Sequence, residues 1–115
     1  MNSNRVLDPR LVKVIEQLDY DNNYSHSIDY YAQHVGITGT HLNRIMKETL
    51  GVSFTNYMKQ IILSKAKSDL IMTNLPIRYI SESLGFSEIS NFTRYFKRET
   101  GLTPTQYREK NAHLF

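Results

Sequence analysis

Apolar residues recur along this chain at helical spacing, in blocks fenced by Gly, Pro, Ser or Thr. Leu11, Val14, Ile15 and Leu18 fall at i, i+3, i+4 and i+7, one apolar stripe of a helix. Asp8-Pro9 ahead of them is a helix start, because Pro gives up an N–H that is unpaired there anyway. The polar cluster Asp19-Tyr20-Asp21-Asn22-Asn23 ends this helix. Ser27 then caps a short helix with Ile28, Tyr31, Ala32 and Val35 inward, closed by Gly36. Thr38 opens a third with Leu42, Ile45, Met46 and Thr49 inward, stopped by Gly51. Ser53 caps a long pattern through Phe54, Tyr57, Met58, Ile61, Ile62, Ala66 and Leu70, which is expected to run to about Asn74. Pro76 opens a fifth helix with Ile77, Ile80, Ser81 and Leu84 inward and Gly85 as its stop. Ser87 is expected to cap a sixth, with Phe92, Tyr95 and Phe96 inward and Gly101 as its stop, and Thr103-Pro104 opens a short seventh containing Tyr107. No stretch alternates with period two for long, so the pattern predicts an all-α chain of seven helices.

The blocks repeat. At an offset of 49, Ile28, Ala32 and Gly36 align with Ile77, Ser81 and Gly85. At an offset of 50, Leu42, Arg44, Lys47, Gly51, Val52, Ser53 and Tyr57 align with Phe92, Arg94, Lys97, Gly101, Leu102, Thr103 and Tyr107. The one-residue slip falls in the turn between the aligned halves. Each copy contains small-x-x-x-Gly-apolar-Ser/Thr, as Ala32 to Thr38 and Ser81 to Ser87. That is helix-turn-helix chemistry: a small residue for close helix approach, Gly for positive φ, an apolar plug and a hydroxyl cap. The predicted organisation is a leading helix with the first unit over 1–51, a linker helix over 52–74 and a second unit over 75–115.

Charge sharpens this picture. The 115 residues hold 14 basic and 11 acidic side chains, a net charge of +3, with a pI near 9.2. Residues 1–30 hold three basic against five acidic groups, and residues 31–115 hold eleven against six. The bases gather at Arg44/Lys47, at Lys59/Lys65/Lys67 and at Arg94/Lys97/Arg98, so two of the patches sit on the second helix of each repeat. A basic body of this kind fits a nucleic-acid footprint. A duplicated helical module that binds protein is the rival reading.

Other chemistries find little support. Without cysteine there is no disulfide framework, thiolate metal site or cysteine nucleophile. His26, His34, His41 and His113 are not spaced as a metal pair on one helix face, and neither HExxH, GxGxxG nor a P-loop occurs. No catalytic residue, metal or cofactor is expected. The longest aliphatic run is Ile61-Ile62-Leu63, too short to span a bilayer, and Met1 to Arg5 leads into no apolar signal segment. A cytoplasmic protein is expected.

From Ser27 to Arg108 the chain resembles the DNA-binding domain of the AraC/XylS family of bacterial transcription regulators. The most specific stretches are Leu75 to Ser81, Leu84-Gly85-Phe86-Ser87, Asn91 to Gly101 and Thr103 to Arg108. The resemblance implies two helix-turn-helix subdomains joined by the long helix, with recognition helices over Thr38–Thr49 and Ser87–Thr100 entering successive major grooves. It implies base reading from the exposed early turns: Gly39, Thr40, Asn43 and Arg44 in the first copy, Ile89, Ser90, Asn91, Thr93 and Arg94 in the second. Arg44 and Arg94 hold equivalent places; either pairs with guanine O6/N7 or clamps a phosphate. Asn43 is suited to an adenine edge. Thr38, His41, Lys47, Ser87, Lys97 and Arg98 are candidates for backbone contact. Phe92, Tyr95 and Phe96 belong to the core, while Ile89 and Asn91 point to methyl contact and DNA shape in the second copy. The expected partners are double-stranded promoter DNA and, through activation typical of the family, RNA polymerase. A monomer is expected, and the chain is either a short stand-alone regulator or the carboxy-terminal piece of a longer one.

Overall fold

A computed structural model describes residues 7–21 and 24–112, so Asn22, Asn23 and His113 lie outside the described residues. The described residues form seven helices and no strand: α1 (Pro9–Asp21), α2 (Ile28–His34), α3 (Gly39–Leu50), α4 (Phe54–Met72), α5 (Ile77–Ser83), α6 (Ile89–Thr100) and α7 (Pro104–Lys110). The all-α expectation holds, with each helix where the apolar spacing places it. The chain divides into two compact units, residues 1–58 and 59–115, and the division falls within α4.

The first unit buries one stripe from each of its helices. Leu11, Val14 and Leu18 of α1 meet Tyr31 and Ala32 of α2, Leu42, Ile45 and Met46 of α3, and Phe54 and Met58 of α4. Its helix starts are well capped. Asp8 Oδ1 accepts the Arg10 N–H at 2.8 Å, and its carboxylate also takes the Arg10 guanidinium at 3.0 and 2.7 Å. Those hydrogen bonds with Arg10 hold the Asp8 carboxyl down at about 2. Ser27 Oγ accepts the Tyr30 N–H at the start of α2.

The second unit buries Ala66 and Leu70 of α4, Ile80, Ser81 and Leu84, and Phe92 and Phe96 of α6. Aromatic rings dominate here: Phe86, Phe96 and Tyr107 join Phe92 in a chain of contacts with centroids 5.3 to 5.8 Å apart. Tyr95, expected inward, is half-buried at the rim, its ring against Phe86 and beneath the Arg98 guanidinium. The end of α4 comes at Met72, two residues before the expected stop at Asn74. Thr73 ends it by folding its hydroxyl back onto the Asp69 carbonyl (2.6 Å) while accepting the Leu75 N–H (3.2 Å). Arg108 from α7 reaches the same end, donating to the Leu70 carbonyl at 2.9 Å and the Thr73 carbonyl at 3.3 Å. A cation on the unpaired carbonyls of a helix terminus satisfies them and complements the helix dipole.

Candidate nucleic-acid interface

Both copies build the same turn. In the first, the Ala32 carbonyl accepts the Val35 and Ile37 N–H groups at 3.1 Å each; in the second, the Ser81 carbonyl accepts those of Leu84 and Phe86 at 3.2 and 3.1 Å. Gly36 and Gly85 sit between them at φ of 74° and 93°, a conformation that costs a side-chain-bearing residue. A small residue at 32 and 81 admits the second helix, and both positions are buried. The helix-turn-helix units read from the repeat are therefore present in each copy.

The copies part at the next residue. Thr38 caps α3, its Oγ1 accepting the His41 N–H at 3.1 Å. Ser87 was expected to cap α6 in the same way, and it does not. The N-cap of α6 is Glu88, in extended conformation and without a side-chain cap bond. The reason lies in the slip from offset 49 to 50: the extra residue of the second turn pushes Ser87 one place too early and puts Glu88 where Thr38 stands.

On α3, Thr40, Arg44 and Lys47 are exposed at i, i+4 and i+7 and so share one outward face. On α6, Ser90, Arg94 and Lys97 repeat that face. Among the described residues, the side chains of Arg44, Lys47 and Lys97 have no hydrogen-bond or ion-pair partner within the chain, so their donors are available to a ligand. Arg94 is exposed and lightly held, its Nη1 donating to Asn91 Oδ1 at 3.3 Å. Arg98 is engaged more fully: its guanidinium lies 5.4 Å from the Tyr95 ring centroid, and its Nε donates to Glu99 at 3.4 Å. Glu99 also faces Lys59 at 3.5 Å. Burial, and then the Glu99 charge, push the Tyr95 hydroxyl upward.

The remaining predicted positions fall in different settings. Thr38 is exposed with its hydroxyl spent on the cap, His41 and Thr93 are half-buried, and Ser87, Ile89 and Asn91 are exposed. Gly39, expected on the exposed early turn, is buried instead. A Cβ there would meet the Asp29 carboxylate and come within 3.1 Å of Ile28 Cγ2, so the glycine serves close approach of α2 to α3. Asn43 is half-buried, and its Oδ1 accepts the Phe54 N–H at 2.8 Å. This bond and the Arg108 cap escaped the sequence reading. Each joins residues 11 to 38 positions apart, and no local pattern announces such a pairing.

Tandem helix-turn-helix units, each presenting exposed basic side chains on its second helix, define a DNA-binding domain of a transcription regulator. Residues 31–110 match the family model described as a helix-turn-helix domain, and the chain belongs to that family, in its AraC type. It is 35% identical over 99 residues to an uncharacterized HTH-type transcriptional regulator of Staphylococcus aureus strain MSSA476, covering 84% of this chain and 13% of that protein. The chain thus spans a small part of that relative's length. An AraC-type transcriptional regulator from Chromobacterium violaceum superposes with a TM-score of 0.74 at 27% identity, over 90% of this chain and 93% of the other. The DNA-binding domain of AdpA, solved in complex with a target DNA, shares the fold with a TM-score of 0.81 at 14% identity, over 93% and 96%.

Proposed function

We propose that the chain binds promoter DNA sequence-specifically as a monomer, setting α3 and α6 into successive major grooves, and activates transcription through RNA polymerase in the bacterial cytoplasm. The observation that carries this reading is the repeated outward face, Thr40/Arg44/Lys47 and Ser90/Arg94/Lys97, exposed in two units of the same design and held within the chain by no more than the Arg94–Asn91 bond. In this reading Thr40 and Arg44, with Ser90, Asn91, Thr93 and Arg94, address base edges. Thr38, His41, Lys47, Ser87, Lys97 and Arg98 address the phosphate backbone, which positions the heads without reading sequence. The chain acts as a binding protein and not as an enzyme. Among the described residues no helix is long and apolar enough to cross a membrane.

Selection of bound sites from random duplex DNA, followed by binding across a salt series, tests the proposal. The expected site is asymmetric, with two short conserved blocks about one helical turn apart. Affinity should fall with salt at a slope of about −0.9 per phosphate neutralised. No binding to any duplex at low salt would leave the protein-interaction module as the better reading.

A further inference from the structure

Asn43 sits on the first recognition helix, but its amide oxygen faces the start of α4, 2.8 Å from the Phe54 nitrogen. Phe54 is the first residue of α4, so its N–H is one of the four that no carbonyl of the same helix can take. Ser53 spends its hydroxyl on the Asn56 N–H at 3.2 Å. The Phe54 N–H must find its acceptor elsewhere, and Asn43 supplies it. An N–H can only donate, so the bond also fixes which end of the amide points inward. The second unit provides an internal control. At offset 50, Asn43 becomes Thr93 and Phe54 becomes Pro104, which has no N–H to satisfy. Where the donor is missing, so is the asparagine.

We infer that Asn43 is a positioning residue of the first reading head, hooking α3 to the start of α4, and that it does not read adenine. The inference rests on the DNA-reading function proposed above. A bidentate adenine pair needs an acceptor for N6–H and a donor for N7 from one amide. With Asn43 Oδ1 held 2.8 Å from the Phe54 nitrogen, the amide cannot swing its oxygen and its nitrogen side by side onto one base edge, and its Nδ2–H₂ group keeps the donors. With Arg44, which carries donors alone, the head favours base edges rich in acceptors, guanine O6/N7 first among them.

The test uses the full chain, its selected site, and the variants Asn43→Ala and Asn43→Asp. In the free protein, amide exchange at Phe54 should quicken on the order of tenfold in Asn43→Ala, as one partly buried hydrogen bond is lost, and stay protected in Asn43→Asp, which keeps an acceptor. In binding, Asn43→Ala should blunt the guanine preference set by Arg44, and Asn43→Asp should restore it, although its charge lowers affinity for all sequences alike. Replacing each adenine of the site by purine, which lacks only the N6 amine, should reveal no position where the wild type weakens and Asn43→Ala is indifferent. One such position makes Asn43 an adenine reader and overturns the inference. Unchanged Phe54 exchange in Asn43→Ala, or an unrestored preference in Asn43→Asp, overturns it as well. Failure of the wild type to bind any duplex overturns the DNA reading itself, a different and recognisable result.

Discussion

Among single residues, Arg44 and Ser81 show how neighbours decide what a side chain is worth. Arg44 is exposed on α3 with its five donors unclaimed, so bonding a base or a phosphate would require no internal bond to break first. Arg44→Ala should weaken binding to the selected site by about 1–3 kcal/mol and relax preference at one base pair. An equal loss on random duplex, measured by competition, would make it a phosphate clamp. Ser81 is the opposite case. It is buried, and its hydroxyl has no hydrogen-bond partner, while the first copy carries Ala32 at the matching place. An unpaired buried hydroxyl costs about 1–3 kcal/mol, so Ser81→Ala should raise the urea midpoint. A lower midpoint would mean that the hydroxyl has a partner in solution. The small side chain at this position was legible from the repeat; whether its hydroxyl finds an acceptor depends on packing that the repeat does not encode.

At the scale of helices, termini decide most of what differs between the two copies. The uncapped start of α6 predicts that Glu88→Ser, which puts a hydroxyl at the true N-cap, stabilises the chain by about 0.5–2 kcal/mol in chemical denaturation. Ser87→Ala, which removes a hydroxyl that caps nothing, should leave stability within about 0.5 kcal/mol. Removing the other unusual terminus device, with Arg108→Ala, frees two carbonyls at the end of α4 and should cost about 1.5–3 kcal/mol. Tyr31 links two helices of the first unit. It is buried on α2 with its hydroxyl 3.4 Å from Asp21 at the end of α1. Burial first, and then the Asp21 charge, push its hydroxyl up to about 12 from an ordinary 10. The folded state therefore holds this proton more tightly than the unfolded chain does. The resulting stability is complete below pH 10 and is lost as pH rises from about 10 to about 12. Urea titrations over that window should show a decline that is shallower in Tyr31→Phe, and an equal decline in both would assign it to other tyrosines.

For the molecule as a whole, DNA binding should depend on salt through residues on both reading heads. Lys47→Gln and Lys97→Gln should each weaken binding about equally on all sequences and lower the magnitude of the salt slope by about 1. An unchanged slope in either variant would place that lysine away from phosphate. The length of the chain set against its relatives also bears on function at this scale. It covers 13% of the Staphylococcus aureus relative, so most of that protein has no counterpart in this chain.

The class, the seven helices and the duplicated turn were all legible along the chain. Apolar period, Gly, Pro and hydroxyl caps are local signals, and each acts within a few residues of where it stands. The sequence also placed the outward faces of α3 and α6, because exposure on a short helix follows from the stripe that the core claims. Tertiary structure decided the rest. Gly39 is buried by the approach of α2, Asn43 turns to Phe54, and Arg108 closes the end of α4. Each of these joins groups that meet only once the helices have packed. Their hydrogen bonds and contacts are set by distance in space, on which position along the chain has little bearing.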